Sequence, residues 1–221
     1  MSGNKLKRKP KNEIKFNLVL DDDQKKNKRG IIEHPISIIL GKTGTGKTLL
    51  ATQIALDLFF NREINKIIIT RPTVSTENNG YLPGSMEEKM DPWLVPIRDN
   101  MYKLQTEEKI KSMELKKDIE LVPLSYFRGR TFDKAVIIVD EFQNLTESQF
   151  EMSVGRLGKG SKILFCGDYK QCDLHKEKGS YDLVQQISKS NSVFKMELTI
   201  NHRHEVLDEI FKLIEDYKNG N

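Results

Sequence analysis

Hydrophobic positions cluster into short runs, at Ile36–Leu40, Lys66–Thr70, Ile119–Val122, Ala135–Val139, Lys162–Cys166 and Phe194–Leu198. Each run is nearly continuous in apolar, mostly β-branched character and is bounded by Gly, Asp, Lys or Asn. That is the pattern of strands buried on both faces of a parallel sheet, because a one-sided sheet would alternate apolar with polar. Between the runs the apolar spacing turns helical. Leu49–Phe59 follows a glycine loop, and Thr146–Arg156 opens with Thr and a Glu-Ser-Gln behind it, a capping-box-like start. Ser180–Ser188 and Val206–Tyr217 complete the helices. Strand–helix alternation predicts an α/β fold with a mostly parallel central sheet and helices on both faces. Ile14–Leu20 alternates weakly, as a short edge strand would. Residues 72–118 break the rhythm with turn signals and then charged, helix-prone sequence. They read as an insertion on the sheet's functional edge.

Composition narrows this picture. The chain has 221 residues, enough for one globular domain of common size with or without a tail, and 37% hydrophobic against 31% charged residues gives one core under a heavily charged surface. Residues 1–12 are Lys- and Asn-rich and are expected to be a disordered basic tail, with a single domain over 13–221. No apolar stretch is long enough to span a bilayer, and the basic N-terminus lacks the apolar run of a secretion signal. Two cysteines, Cys166 and Cys172, without a partner cluster at zinc spacing read as reduced thiols of a cytoplasmic protein. The net charge of +4 is uneven: residues 1–30 carry ten Lys and Arg against four acids, so that segment is +6 and the rest −2. Such an arm either holds polyanions by counterion release or solubilises a disordered end.

Chemistry enters at Gly41-Lys42-Thr43-Gly44-Thr45-Gly46-Lys47-Thr48, which fits Gly-x4-Gly-Lys-Ser/Thr in full. The glycines let successive backbone N–H groups curl around phosphates, where side chains would obstruct. Lys47 sets a point charge on the outer phosphates, the Thr48 hydroxyl can ligate Mg²⁺, and the following helix aims its N-terminus at the anion. These residues point to ATP and Mg²⁺ as the ligands. The second signal is Ala135–Val139 followed by Asp140 and Glu141. A buried strand would deliver Asp140 to the sheet's C-terminal edge, opposite Thr48 in the metal shell, with Glu141 placed to polarise an attacking water. The adjacent Glu also argues against a small-molecule kinase, which must exclude water. The third signal is Gly167-Asp168 with Gln171 three residues on, an amide suited to the γ-phosphate or the attacking water; a plain polar turn is the alternative.

In combination these signals resemble the PhoH-like family, P-loop ATPases similar to the first motor domain of superfamily 1 helicases. The residues that carry the resemblance are the phosphate loop, Thr70-Arg71-Pro72, Gly80 to Gly84, Glu88 to Pro92, Pro123 to Thr131, Asp140 to Asn144, Gly167 to Gln171, and Arg203-His204. The resemblance implies a RecA-like fold and an ATPase directed at RNA or single-stranded DNA. It also implies a homo-oligomeric ring, such as a hexamer. Ring closure has a physical reason: an Arg from a neighbour stabilises transition-state charge, and head-to-tail contacts close into rings. Arg203 is the first candidate finger, with Arg128 and Arg130 behind it; each reads equally as a surface or intrachain ion-pair arginine. Gln24, seventeen residues before Gly41, stands where a helicase-like ATPase would read adenine, or is an exposed polar residue of a charged loop. Arg71 falls where helicases touch the strand backbone, and Tyr81, Trp93, Tyr126 and Phe127 offer stacking surfaces or plain packing. The competing reading is a nucleotide-dependent switch acting on a protein partner without nucleic acid.

Overall fold

The computed structural model describes residues 16, 19–72, 86–172, 179–202 and 206–218. Six strands form one parallel sheet: β1 (Ile36–Gly41), β2 (Lys66–Thr70), β3 (Ile119–Leu121), β4 (Ala135–Asp140), β5 (Lys162–Gly167) and β6 (Val193–Leu198). Their spatial order is β3-β2-β4-β5-β1-β6. Every strand expected from the apolar runs is present, with ends shifted by a residue or less. The reason is visible in β4, whose six residues are all buried. Side chains alternate between faces along each strand. Ile39, Ile67, Ile69, Val136, Ile138 and Leu164 enter one core, while Ile38, Ile68, Ile137, Val139, Ile163 and Phe165 enter another.

Helices fill both layers. On the first face lie α1 (Asp22–Glu33), α2 (Lys47–Phe60), α3 (Met86–Leu104) and α4 (Glu107–Leu115). Helix α2 is the centre of that layer, with Leu50, Ala51, Ile54, Ala55 and Leu56 fully buried. On the opposite face α5 (Glu147–Val154) and α6 (Tyr181–Ile187) join an aromatic cluster in which Phe150 stacks on Phe165 and Phe142 meets Phe165 edge-on. The capping box foreseen at Thr146 forms: its hydroxyl accepts from the Gln149 N–H, and the Gln149 side chain accepts from the Thr146 N–H. The final helix, α7 (Val206–Lys218), leaves Val206, Ile210, Leu213, Ile214 and Tyr217 exposed along one stripe.

Two regions differ from the sequence expectation. Phe16, Val19 and Leu20 belong to no strand, and the charged stretch after them is helix α1. Asp21 caps α1, accepting from the Gln24 N–H while the Gln24 side chain accepts from the Asp21 N–H. Residues 72–118, expected as an insertion, hold α3 and α4. These form the crossover from β2 to β3 and bury Leu94, Ile97, Met101, Leu104, Ile110 and Met113 in the main core. Residues 1–12 and the turn signals of 77–84 lie outside the described residues.

Candidate nucleotide site

Parallel register brings the separate motifs to one edge. Leu40 pairs with Gly167, Gly41 with Leu198, and Asp140 with Cys166, so the C-terminal ends of β1, β4, β5 and β6 line up. Loops from these ends enclose a cleft of about 600 Å³, lined among others by Gln24, Lys47, Thr48, Arg71, Asn100 and Glu141. A larger hollow, about 900 Å³, lies against β3 and contains none of the motif residues at this edge. Residues of the Gly41–Thr48 loop and of the Asp140-Glu141 pair line the smaller one.

The phosphate loop leaves β1 at Gly41 and turns into α2 through Gly46, which holds φ at +80°. A side chain there would be strained, and a Cβ would stand 2.9 Å from the Gln24 Nε2. No side chain caps α2, so its first-turn N–H groups face the cleft as an anion site. Lys42, Thr43, Gly44 and Thr45 complete the loop, with the Thr45 hydroxyl donating to the Lys42 carbonyl at 2.8 Å. Lys47 Nζ donates to the Gly41 carbonyl at 2.7 Å and to the Lys42 carbonyl at 3.1 Å. The ammonium is thereby held over the loop it serves.

Thr48 Oγ1 donates to Asp140 Oδ1 at 2.6 Å across 92 residues of chain. Asp140 is buried, and its carboxyl is pushed up to about 6, first by desolvation and then by the charge of Glu141, with the Thr48 hydrogen bond opposing. An ionised carboxylate kept dry in this way wants a cation. A hydroxyl beside one carboxylate could hold Mg²⁺, which takes few protein oxygens and fills its octahedron with water and phosphate. No three-residue His, Cys, Asp or Glu cluster of a protein-only metal cage occurs among the described residues.

Glu141 has φ 52° and ψ 41°, the left-handed region, which turns its carboxylate away from the strand direction into the cleft. Arg71 Nη2 lies 3.6 Å from Glu141 Oε1, and Gln143 Nε2 donates to Glu141 Oε2 at 2.7 Å. Gln171 meets the phosphate loop directly: it accepts from the Thr43 hydroxyl at 2.6 Å, and its amide donates to Asp168 Oδ2 at 3.1 Å. Gln24 is buried, not an exposed loop residue, and its amide lies beside Gly46 at the mouth of the cleft.

The other candidates separate. Arg203 lies outside the described residues. Arg130 is engaged within its own chain, donating to Glu120 at 2.7 Å and lying over the Phe132 ring, whereas Arg128 is exposed. Phe127 is fully buried, so of its two expected roles it has packing and offers no stacking surface; Tyr126 is half-exposed. Tyr81 and the Trp93 side chain are outside the description. Sequence reasoning gave no role to Gln143, and it missed the segment that closes the cleft beside β6. There the His202 N–H donates to the Gly44 carbonyl at 3.1 Å, and its ring pairs with Asp21 at 2.8 Å. The signal for Gln143 was its place in Asp140 to Asn144; for His202 there was none in sequence.

Comparison with known proteins gives the family and the fold. A family model described as PhoH-like protein matches residues 19–215. The chain is 41% identical over 163 residues to a PhoH-like protein of Synechocystis, covering 73% of this chain and 50% of that protein. It is 38% identical over 187 residues to a PhoH-like protein of Bacillus subtilis, covering 82% and 58%. The chain thus spans about half the length of the curated relatives it matches. Among solved structures, the large terminase of a thermophilic bacteriophage is similar at TM-score 0.57 and 10% identity, over 88% of this chain and 50% of that one. The Pif1 helicase of Candida albicans is similar at TM-score 0.51 and 16% identity, over 92% and 45%. At such identities the likeness is one of fold: a RecA-like α/β domain with an all-parallel six-stranded sheet.

Proposed function

This chain belongs to the PhoH-like protein family, and from that premise we propose that it binds ATP with Mg²⁺, hydrolyses it, and couples hydrolysis to RNA or single-stranded DNA. One observation carries the ATPase reading: Thr48 and Asp140 meet at 2.6 Å with Glu141 next in the chain and turned into the same cleft. The first-turn amides of α2 and Lys47 would hold the outer phosphates, and Thr48 with Asp140 would hold the metal. When bound, Mg²⁺ supplies neutralisation of charge between the β- and γ-phosphates. Glu141 accepts the proton of the attacking water, and its carboxylate, flanked by Arg71 and Gln143, stays oriented for that transfer. Gln171, already in contact with the loop through Thr43, reads the γ-phosphate. Gln24 and the backbone beside it frame the base.

Two observations support the polynucleotide half. The fold is shared with proteins described as a helicase and a terminase. Arg71 stands at the end of β2, partly exposed and within reach of Glu141, where a bound phosphate backbone would alter the environment of the base. Assembly into a ring is supported by the exposed apolar stripe of α7, which a second copy would cover. No described helix is long and apolar enough to cross a membrane.

The test is steady-state ATP hydrolysis with and without single-stranded RNA or DNA, across salt concentration. Stimulation that fades as salt rises is the expected result, because phosphate contacts release counterions. Hydrolysis indifferent to every polynucleotide would overturn the nucleic-acid half and leave a nucleotide switch acting on a protein partner.

A further inference from the structure

Gln143 sits in the turn Phe142–Asn144 that follows β4, and only 3% of its surface is exposed. A buried primary amide needs partners on both ends, and this one has them in an order that only one orientation satisfies. Its Nε2 donates to Glu141 Oε2 at 2.7 Å, and its Oε1 accepts from the Asp168 N–H at 3.1 Å. One neighbour is a carboxylate, which can only accept, and the other an amide N–H, which can only donate. A Glu would set two acceptors face to face, and an apolar side chain would leave the Asp168 N–H bare. The demand for glutamine is therefore chemical as well as steric.

The loop beyond β5 is shaped to receive this amide. A Cβ on Gly167 would lie 2.3 Å from Gln143 Oε1 and 2.8 Å from Phe142 Cδ1. Only glycine leaves room. Past it, Asp168 accepts from the Gln171 amide, and Gln171 accepts from the Thr43 hydroxyl of the phosphate loop. The contacts run without a gap from Thr43 through Gln171, Asp168 and Gln143 to Glu141. The left-handed backbone of Glu141 turns its side chain into the cleft, and there its two carboxylate oxygens are held by Gln143 on one side and Arg71 on the other.

We propose that Gln143 is a positioning residue that holds the Glu141 carboxylate in line for water and ties it to the Gly167–Gln171 loop that meets the phosphate loop. The assignment rests on the hydrolysis reading above. A change at the γ-phosphate that moves Gln171 is passed to the base through two hydrogen bonds of one buried amide.

The test is a double-mutant cycle of Gln143→Met with Glu141→Gln in the full chain, measuring single-turnover hydrolysis, equilibrium binding of a fluorescent ATP analogue, and thermal unfolding. Methionine matches the length and burial of glutamine and cannot donate the hydrogen bond to Glu141. Gln143→Met is expected to lower the hydrolysis rate by about 10- to 100-fold, the scale for misplacing a reacting group by an ångström, with nucleotide affinity changed less than about threefold. In the Glu141→Gln background it should add nothing, since the group it positions is gone. Gly167→Ala provides an independent route: it leaves Gln143 in place but forces the amide aside, and should reproduce the rate loss with the same intact binding. Losses that multiply across the cycle, or wild-type rates in both single variants, would overturn the proposal. Failure of the hydrolysis reading would be distinct, since the wild-type chain would then show no turnover sensitive to Glu141→Gln.

Discussion

Replacing Asp140 with Asn should stabilise the metal-free protein while weakening the Mg²⁺ binding proposed for it. Asp140 lies buried at the end of β4, and desolvation, with the Glu141 charge behind it, lifts its carboxyl from an ordinary 3.8 to about 6. A raised acid pKa means that the folded state holds the proton more tightly than the unfolded chain. Above pH 6 both states are ionised, and folding bears the full cost of burying the charge. As pH falls from 6 towards 4 the folded state takes up its proton first and the penalty disappears. A shift of about two units corresponds to about 3 kcal/mol at neutral pH. Asn carries no charge, and its Oδ1 can still accept from Thr48. In EDTA at pH 7.5, Asp140→Asn should therefore unfold about 5–10 °C above wild type, given a few degrees per kcal/mol for a domain of this size. The gap should close as the buffer approaches pH 4, and taking the difference between the two proteins cancels the titrating groups that do not touch Asp140, leaving Asp140 with its coupled neighbour Glu141. Adding Mg²⁺ with a non-hydrolysable ATP analogue should raise the wild type and leave the variant nearly unmoved, because only the wild type binds the pair well. A variant no more stable than wild type at pH 7.5, or a gap that ignores pH, would refute the reasoning.

Glu141→Gln should bind ATP as wild type does and hydrolyse it about 10²- to 10⁴-fold more slowly, the range for loss of a positioned base; near-normal turnover would remove Glu141 from the mechanism. Arg130→Ala gives up the Glu120 pair and the Phe132 face, so it should lower stability by about 1 kcal/mol in a thermal melt with hydrolysis intact. A selective loss of turnover would instead make Arg130 a finger for a neighbouring site. Ile210→Asp with Leu213→Asp places charge on the α7 stripe and should shift sedimentation from oligomer to monomer, with the same melting temperature as wild type when both are diluted to monomer; a lower melting temperature in the dilute monomer would place α7 within the fold of its own chain.

How far the sequence spoke depended on how local the determining physics was. The strands were legible because burial on both faces makes a run apolar throughout, and nothing outside β4 is needed to read Ala135 to Val139 as one. Thr48 and Asp140 were legible because their strands must end at the same edge of a parallel sheet, so topology alone brings them together. Helix α1 was not: its buried face reduces to Ile31 and Gln24, too narrow a signal in a segment that is mostly charged, and the closeness of Gln24 to Gly46 is a contact between elements that no pattern within α1 reports. In α3 the positions Leu94, Ile97, Met101 and Leu104 repeat at helical spacing, but charged and proline-containing sequence around them hid which face packs into the core against α2.

Gly167 shows where reading residue by residue stops. Taken alone, Gly167-Asp168 at the end of a strand is an ordinary polar turn, and Gln143 after an Asp-Glu pair is an ordinary polar side chain. Each acquires its meaning from the other: the glycine is required because an amide from a loop 24 residues upstream occupies the volume of its Cβ, and the amide is required because a carboxylate and an N–H face each other across it. Complementarity of this kind has no period and no composition, so no pattern along one chain reports it. It does constrain substitution sharply. Gly167→Ala and Gln143→Met injure the same contact from opposite sides, and a chain carrying both should lose little more hydrolysis than either alone, whereas two unrelated structural defects would compound.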